Sequence, residues 1–337
     1  MKIDGALLVD DPADAGPAAQ RLEEAGYDGG FTFEGRHDPF LPLTVAAQGT
    51  ERLELATAIA VAFARNPMTL ANLGYDLQLL SRGRFILGLG TQIRAHVERR
   101  FSSTWSRPAA RMRELVLAIR AIWDCWQGGA KLDFRGDFYT HTLMTPVFDP
   151  GPNPHGLPRI FVAGVGPRMT EVAGEVADGF FVHPFHTPEF LAQTTIPALH
   201  RGLARSGRGP GSLEISCQLI IAAGDDEQEL EEARNGARAQ ISFYASTPAD
   251  RPVLECHGLG DLQDELRRLS KEGRWLEMAG LIDDDLLERI AIVGPRGGIA
   301  EKIRSRCARG IDRVSLIAPF SPDPKLWESV VRELHSA

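Results

Sequence analysis

Leu53-Glu54-Leu55-Ala56-Thr57-Ala58-Ile59-Ala60-Val61, a helical pattern over 67–80, and then Phe85-Ile86-Leu87-Gly88-Leu89 form the stretch that decides the fold. Both flanking runs are short and almost continuously apolar, as strands are when a parallel sheet is covered on both faces. The segment between them has helix length, and Arg65-Asn66-Pro67 opens it with a proline in the first turn. Strand, helix, strand is the unit of an α/β protein.

The same unit repeats outward in both directions. Towards the N-terminus, a run over 3–9 precedes an amphipathic stretch over 14–25 that stops at Gly26, and 30–33 precedes 43–49. Towards the C-terminus, a helix over 108–126 follows the fourth strand. Then 159–163 pairs with 168–177, 179–182 with 188–205 and 213–222 with 226–244, and a helix over 298–309 leads into 313–318. About eight strands of this kind favour a closed (β/α)8 TIM barrel, a single α/β domain over 1–337. An open doubly wound sheet is the alternative. The chain offers no Gly-x-Gly-x-x-Gly turn after its first strand, and Gly88-Leu89-Gly90 is too short a match for a dinucleotide site.

Two segments exceed an ordinary connection and read as insertions. Residues 128–158 are rich in Gly, Pro and aromatics, with a hairpin at Phe134-Arg135-Gly136-Asp137-Phe138-Tyr139. Residues 245–290 carry helical patterns near 261–270 and 284–290. Placed above the C-terminal ends of the strands, this second insertion would serve as a lid; a packing or dimer element is the other reading.

Composition narrows the partners. The 45 acidic and 37 basic residues are spread along the 337, for a net charge of −8, with no basic tract to attract nucleic acid. No apolar run approaches a membrane span, and Met1-Lys2-Ile3-Asp4-Gly5 does not start a secretory signal, so a cytoplasmic location is expected. Cys125, Cys217, Cys256 and Cys307 are far apart and unpaired in sequence, which makes buried thiols the default. The nine histidines show no His-x-x-x-His spacing, and no metal is expected.

Chemistry concentrates just after the strands. After the fifth, Ala163-Gly164-Val165-Gly166-Pro167-Arg168-Met169-Thr170 combines two glycines with an immediate helix start, a phosphate-binding arrangement or a plain strand-to-helix turn. After the fourth, Gly88-Leu89-Gly90-Thr91-Gln92 allows a flat ring to pack, with Thr91 or Gln92 bonding to it. The continuation through His96 is polar and reads equally as a solvated helix face. After the second, Glu34-Gly35-Arg36-His37-Asp38-Pro39 gathers groups that move protons near neutrality, or caps a surface turn.

Taken together, these segments resemble the luciferase-like monooxygenase superfamily over nearly the whole chain, in the coenzyme F420-dependent oxidoreductase branch that includes methylenetetrahydromethanopterin reductase. The most specific parts are Leu79-Leu80-Ser81-Arg82-Gly83-Arg84-Phe85-Ile86-Leu87-Gly88-Leu89-Gly90, Gly164-Val165-Gly166-Pro167-Arg168-Met169 and Ala173-Gly174-Glu175-Val176-Ala177-Asp178-Gly179. The resemblance implies coenzyme F420, or FMN as in the monooxygenases, at the C-terminal mouth of the barrel. Gly164, Val165, Gly166, Arg168 and Met169 would hold its phosphate. A strand-three bulge with a non-prolyl cis peptide, placed at Ala58-Ile59, would back the ring. It further implies hydride transfer to or from a small organic substrate, with Glu34 on the cofactor head, His37 or His96 moving a proton, and a homodimer. Relatives often carry His directly after the acid, whereas here His37 stands two places later. Sugar-phosphate dehydrogenases of this branch have a glutamate where this chain has Ile93, and no tryptophan closely follows His37, which argues against glucose-6-phosphate. A barrel that only binds a ligand is a third alternative, because fold does not fix function.

Overall fold

A computed structural model describes residues 1–307, 310–318 and 324–336. Its strands are β1 (Lys2–Ala6), β2 (Gly29–Thr32), β3 (Glu54–Thr57), β4 (Ala60–Val61), β5 (Phe85–Gly90), β6 (Phe134–Arg135), β7 (Thr140–His141), β8 (Arg159–Gly164), β9 (Gly179–Val182), β10 (Glu214–Gly224), β11 (Ile292–Pro295) and β12 (Arg313–Ile317). Eight of them, in the order β10-β12-β1-β2-β3-β5-β8-β9, form a sheet that a β9–β10 pairing closes, with β4 and β11 pairing outside this path. This is a (β/α)8 barrel. The recorded registers in the sheet are parallel, for example Leu55 opposite Phe85 and Cys217 opposite Val314.

The helices are α1 (Ala15–Glu24), α2 (Phe40–Gly49), α3 (Pro67–Leu80), α4 (Pro108–Gly128), α5 (Pro167–Val176), α6 (Pro188–Phe190), α7 (Ile196–Arg205), α8 (Glu227–Ala245), α9 (Arg251–Glu255), α10 (Gly260–Glu272), α11 (Trp275–Gly280), α12 (Asp284–Ile290), α13 (Ile299–Cys307) and α14 (Glu328–His335). The expected α3 begins and ends where its start signal placed it, with Asn66 accepting from the Thr69 amide as N-cap. The helix expected over 298–309 is α13, and residues 308 and 309 lie outside the described residues. The third strand carries the bulge that the resemblance implied at Ala58-Ile59. It is not continuous over 53–61 but stops at Thr57 and resumes at Ala60, with a cis peptide between Ala58 and Ile59.

The chain divides into two compact units, residues 5–181 with 198–214, and residues 1–4 with 182–197 and 215–337. In the first unit, Phe31, Ala56, Ile86, Phe161 and Phe181 pack inside the strands. The Ser81-Arg82-Gly83-Arg84 motif lies at the N-terminal ends of these strands. There the Arg84 guanidinium donates to the Ala47, Thr50 and Leu53 carbonyls and to Thr50 Oγ1. One side chain thereby joins the end of α2, the start of β3 and the start of β5. The 128–158 insertion contains the expected hairpin, β6 against β7, and Glu114 of α4 accepts from the amides of Asp137, Phe138 and Tyr139 at its tip.

In the second unit the 245–290 insertion is helical, and many of its apolar side chains are buried, although Trp275, Leu276 and Leu281 are exposed. Leu254, Leu266, Leu269, Met278, Leu286, Leu287 and Ile290 are buried in one core with Ile241 of α8 and Ile220 of β10. The buried guanidinium of Arg313 on β12 donates to both carboxylate oxygens of Asp4 on β1, at 2.8 and 2.7 Å. No described helix is long and apolar enough to cross a membrane.

Candidate functional site

In a parallel barrel all strand C-termini lie at one face, and barrel enzymes take their catalytic side chains from the loops there. In the first unit these loops follow β2, β4, β5 and β8. The loop after β2 is organised by Glu34, whose side chain is 5% exposed. Its Oε2 accepts from the Val61 amide at 2.6 Å and from Arg65 Nη1 at 2.7 Å. Arg65 Nη2 reaches Asp38 Oδ2 at 2.6 Å, and the guanidinium lies over the Phe40 ring. Burial acts against the Arg65 charge, but the Glu34 and Asp38 carboxylates outweigh it and raise its pKa. Glu34 therefore clamps the end of the third strand, and only Oε1 is without a hydrogen bond among the described residues.

The histidines predicted for this side are both exposed. His37 Nε2 lies 2.9 Å from the carbonyl of Asp10, an acceptor, so this nitrogen carries the proton and Nδ1 is bare. His96 starts a single π-helical turn, His96–Arg100. Thr91 and Gln92 are tied to their own turn: Thr91 Oγ1 donates to the Gln92 carbonyl, and Gln92 Oε1 accepts from the Ile93 amide.

The glycines at the end of β5 serve a purpose the sequence did not reveal. A Cβ on Gly88 would stand 1.8 Å from the Thr57 carbonyl oxygen, and one on Gly90 would stand 2.8 Å from Ile59 Cγ1. The glycines leave room for the displaced third strand itself. Thr57 Oγ1 fastens the contact by donating to the Gly88 carbonyl at 2.7 Å and accepting from its amide at 2.9 Å. Ala58 and Ile59 are held from the other side, where the Ala58 amide donates to the Thr32 carbonyl and the Glu34 amide to the Ile59 carbonyl.

After β8, Gly166 is the N-cap of α5 and no side chain caps the helix. Gly164, Val165 and Gly166 are half-buried, Arg168 is exposed and Met169 is buried. A Cβ built on Gly166 meets nothing within 4 Å, so the space above the first turn is open. The uncapped positive end of a helix attracts an anion.

The second unit contains a cluster that the sequence reasoning passed over, in the loop His183-Pro184-Phe185-His186-Thr187 after β9. His183 Nδ1 accepts from the Phe185 amide at 3.3 Å and lies 3.7 Å from Asp250 Oδ1. The edge of its ring meets Tyr244, with centroids 4.8 Å apart. Asp250 is 3% exposed, and Oδ1 is buried with no hydrogen-bond partner. Burial pushes its carboxyl up to about 7. Desolvation, with help from the neighbouring His186, pulls His183 down to about 4.

His186 is buried and fixes the loop. Its Nδ1 lies 2.8 Å from the His183 carbonyl, to which it donates, and its Nε2 lies 3.2 Å from Cys217 Sγ, a thiol that burial keeps protonated. Desolvation first, and then the Arg306 charge, bring His186 down to about 4 against the pull of its backbone hydrogen bonds. Cys125, Cys217 and Cys307 are buried thiols as expected, and Cys256 is half-buried. Two histidines directly after a strand were a visible signal. Asp250 was not, because nothing local links it to a loop so far away in sequence.

The model of the luciferase-like monooxygenase family matches residues 3–313. The chain belongs to that family, whose members are oxidoreductases and monooxygenases. It is 56% identical to an uncharacterized protein of Mycobacterium tuberculosis, over 93% of this chain and 92% of that one. It is 26% identical to 5,10-methylenetetrahydromethanopterin reductase of Archaeoglobus fulgidus, over 90% and 89%. Among solved structures, the coenzyme F420-dependent tetrahydromethanopterin reductase of Methanopyrus kandleri superposes with a TM-score of 0.80 at 20% identity, covering 98% of each chain.

Proposed function

We propose that this protein is an F420-dependent oxidoreductase that transfers hydride between the deazaflavin and a small organic substrate. The third strand, which stops at Thr57, resumes at Ala60 and is seated on Gly88 and Gly90, carries this reading, because it offers a shoulder for a flat ring at the strand ends. The likeness to 5,10-methylenetetrahydromethanopterin reductase supports it.

The residues present fit the cofactor. Gly164, Val165, Gly166, Arg168 and Met169 would take its phosphate at the open end of α5, where the empty space above Gly166 and the missing side-chain cap leave room for an anion. Ala58 and Ile59 would back the ring, and Thr91 and Gln92 would border it. Glu34 Oε1 is the oxygen left to bond the head group. When bound, the deazaflavin supplies a hydride; the protein aligns the two reactants and handles one proton.

FMN with monooxygenase chemistry is the second reading, favoured by the family description itself. Titrating the purified protein with F420 and with FMN, followed by intrinsic tryptophan fluorescence, separates the two. Trp105, which packs edge-on against Phe63 in the loop after β5, is a suitable reporter. Micromolar or tighter binding of F420 with weak FMN binding is the expected result; the reverse favours the monooxygenase. We also expect a homodimer in cytoplasm, which sedimentation of the native protein and cell fractionation would check.

A further inference from the structure

We propose that Leu8 and Phe33 determine substrate specificity at the strand ends of the first unit, as an apolar wall beside the Ala58-Ile59 shoulder on which the hydrocarbon body of the substrate lies. The substrate is then a molecule with an alkyl or aryl portion of several carbons rather than a sugar or another polyol. This rests on the hydride-transfer reading for what happens to that molecule, but the wall itself stands on separate observations, all within one unit.

Side chains alternate across a strand, so a packed layer fixes where the next one points. Phe31 of β2 lies in the core inside the strands, and Ala6 of β1, Ala58, Ile59 and Ala163 of β8 pack against that core half-buried. The residues between face outwards: a Cβ on Gly30 would meet Leu7 Cδ1 at 3.3 Å and Leu22 Cδ1 of α1 at 3.4 Å. Leu8 and Phe33, two places beyond Ala6 and Phe31, therefore return to the inner side one layer higher. There they are 61% and 50% exposed, whereas Leu7 is buried.

Hydrogen bonds put both residues in the row of the shoulder. The Leu7 amide donates to the Phe31 carbonyl at 2.8 Å and the Ala58 amide to the Thr32 carbonyl at 2.6 Å, which sets Leu8 beside Phe33 and Phe33 beside Ala58. The next bond skips a residue. The Glu34 amide donates to the Ile59 carbonyl at 3.1 Å, so Ala58 and Ile59 together stand opposite Phe33 as a bulge. With strands ~4.8 Å apart, the row from Leu8 through Phe33 to the bulge spans about 10 Å, room for a ring or a chain of several carbons.

The wall is held from behind. Arg36 Nη1 donates to Asp10 Oδ1 at 3.2 Å and His37 Nε2 to the Asp10 carbonyl at 2.9 Å, which joins the loop after β2 to the loop after β1. Arg100 Nη2 donates to the Gly35 carbonyl at 2.7 Å, and the Phe33 ring rests on Gly35, where a Cβ would come within 3.0 Å of Cε2. Apolar side chains held open in this way gain by being covered, by about fourfold in affinity per methylene buried. Their place in the row of the shoulder, rather than on an outer helix face, commits the occupant to the molecule seated there.

Four preparations test the proposal: the full-length protein with carbon-13-labelled leucine methyls, Leu8→Ala, Phe33→Ala and the double variant. Exposed positions such as these tolerate alanine with little loss of stability. The first readout needs no cofactor. 1-Butanol, 1-hexanol and 1-octanol are titrated against the Leu8 methyl signals, which L8A identifies by their loss. The expected result is saturable shifts with Kd falling about fourfold per methylene, a dependence lost in F33A, and no shift with glucose. Equal affinity for the three alkanols, an unchanged series in F33A, or a matching response to glucose overturns the wall.

The second readout is F420 titration followed by tryptophan fluorescence. The double variant is expected to bind F420 as the wild type does. Loss of F420 affinity with the alkanol series intact in F33A means that the pair holds the cofactor rather than the substrate, and a changed sedimentation coefficient makes it a contact between copies; either overturns the proposal. If the wild type shows the chain-length dependence but does not bind F420, the cofactor reading falls and the apolar wall remains.

Discussion

The strand ends of the two units are built on opposite principles. In the first, polar side chains serve the backbone: Glu34 clamps Val61 and Arg65, Thr57 holds Gly88, Thr91 and Gln92 bond within their own turn, and shape comes from glycines that admit the bent third strand. In the second, side chains are buried short of partners, with an unbonded carboxyl oxygen on Asp250 facing a neutral imidazole. A rigid surface of satisfied groups suits a cofactor that must be positioned, whereas poorly satisfied titratable groups suit proton movement. The difference makes the first set of loops a scaffold of satisfied groups and the second a place where a proton can be held.

The sharpest way to break this division is to add a methyl group. Gly88→Ala places a Cβ 1.8 Å from the Thr57 carbonyl, a backbone atom that cannot rotate away. Overpacking costs ~1 to 3 kcal/mol and more where backbone must move. The expected outcome is a loss at the top of that range or beyond in thermal unfolding, together with loss of F420 binding. A Gly88→Ala protein that melts and binds as the wild type does would mean the bent strand is not a fixed shoulder.

Next in size is a pH effect confined to the second unit. An imidazole whose folded pKa is depressed from 6.5 to about 4 contributes stability that is present above 6.5 and lost as pH falls through 4, and His183 and His186 both behave so. Asp250, raised from 3.8 to about 7, has the opposite sign: its contribution is present below 3.8 and lost as pH rises through 7. Asp250→Asn removes that falling term. Denaturant unfolding across pH 4 to 7 should therefore show the variant gaining stability relative to wild type as pH rises, by about 1.4 kcal/mol per unit. Parallel curves would mean that Asp250 titrates alike in the folded and unfolded chains.

Glu34→Gln comes third. It keeps the shape but removes the charge facing Arg65, and hydrogen bonds to charged groups are worth about 1.5 to 3 kcal/mol. Stability should fall by roughly that amount. Cofactor affinity should fall with it, since the same side chain holds Val61 next to the bend. An affinity loss with unchanged stability would instead show Glu34 acting directly on the cofactor head through Oε1.

These outcomes bear on what was legible in the sequence. Eight apolar runs alternating with helices suffice for the barrel because each strand end is marked locally, as at Asn66-Pro67, where proline and an N-cap coincide. Ser81-Arg82-Gly83-Arg84, part of the specific stretch from Leu79 to Gly90, is a brace at the N-terminal ends of the strands, where barrels keep their stability rather than their chemistry. The bend at Ala58-Ile59 came from resemblance alone, since Thr57-Ala58-Ile59-Ala60 reads as ordinary strand and the glycines that allow it lie on the next one. The His183 and Asp250 pair escaped for a related reason: proximity between residues far apart in sequence leaves no local pattern.

The smallest expected effect is the most discriminating for the rival proton donors. His37 and His96 are exposed, and substitutions at such positions usually change stability by no more than ~0.5 kcal/mol. His37 Nε2 already donates to Asp10, so a neutral His37 has a bare Nδ1 and can accept a proton but not give one from that side. His96→Ala should leave melting, F420 binding and turnover near wild type. His37→Ala should loosen only the loop after β2, raising KM more than it lowers kcat. If either alanine variant instead drops kcat by about 10² to 10⁴-fold, that histidine handles the proton.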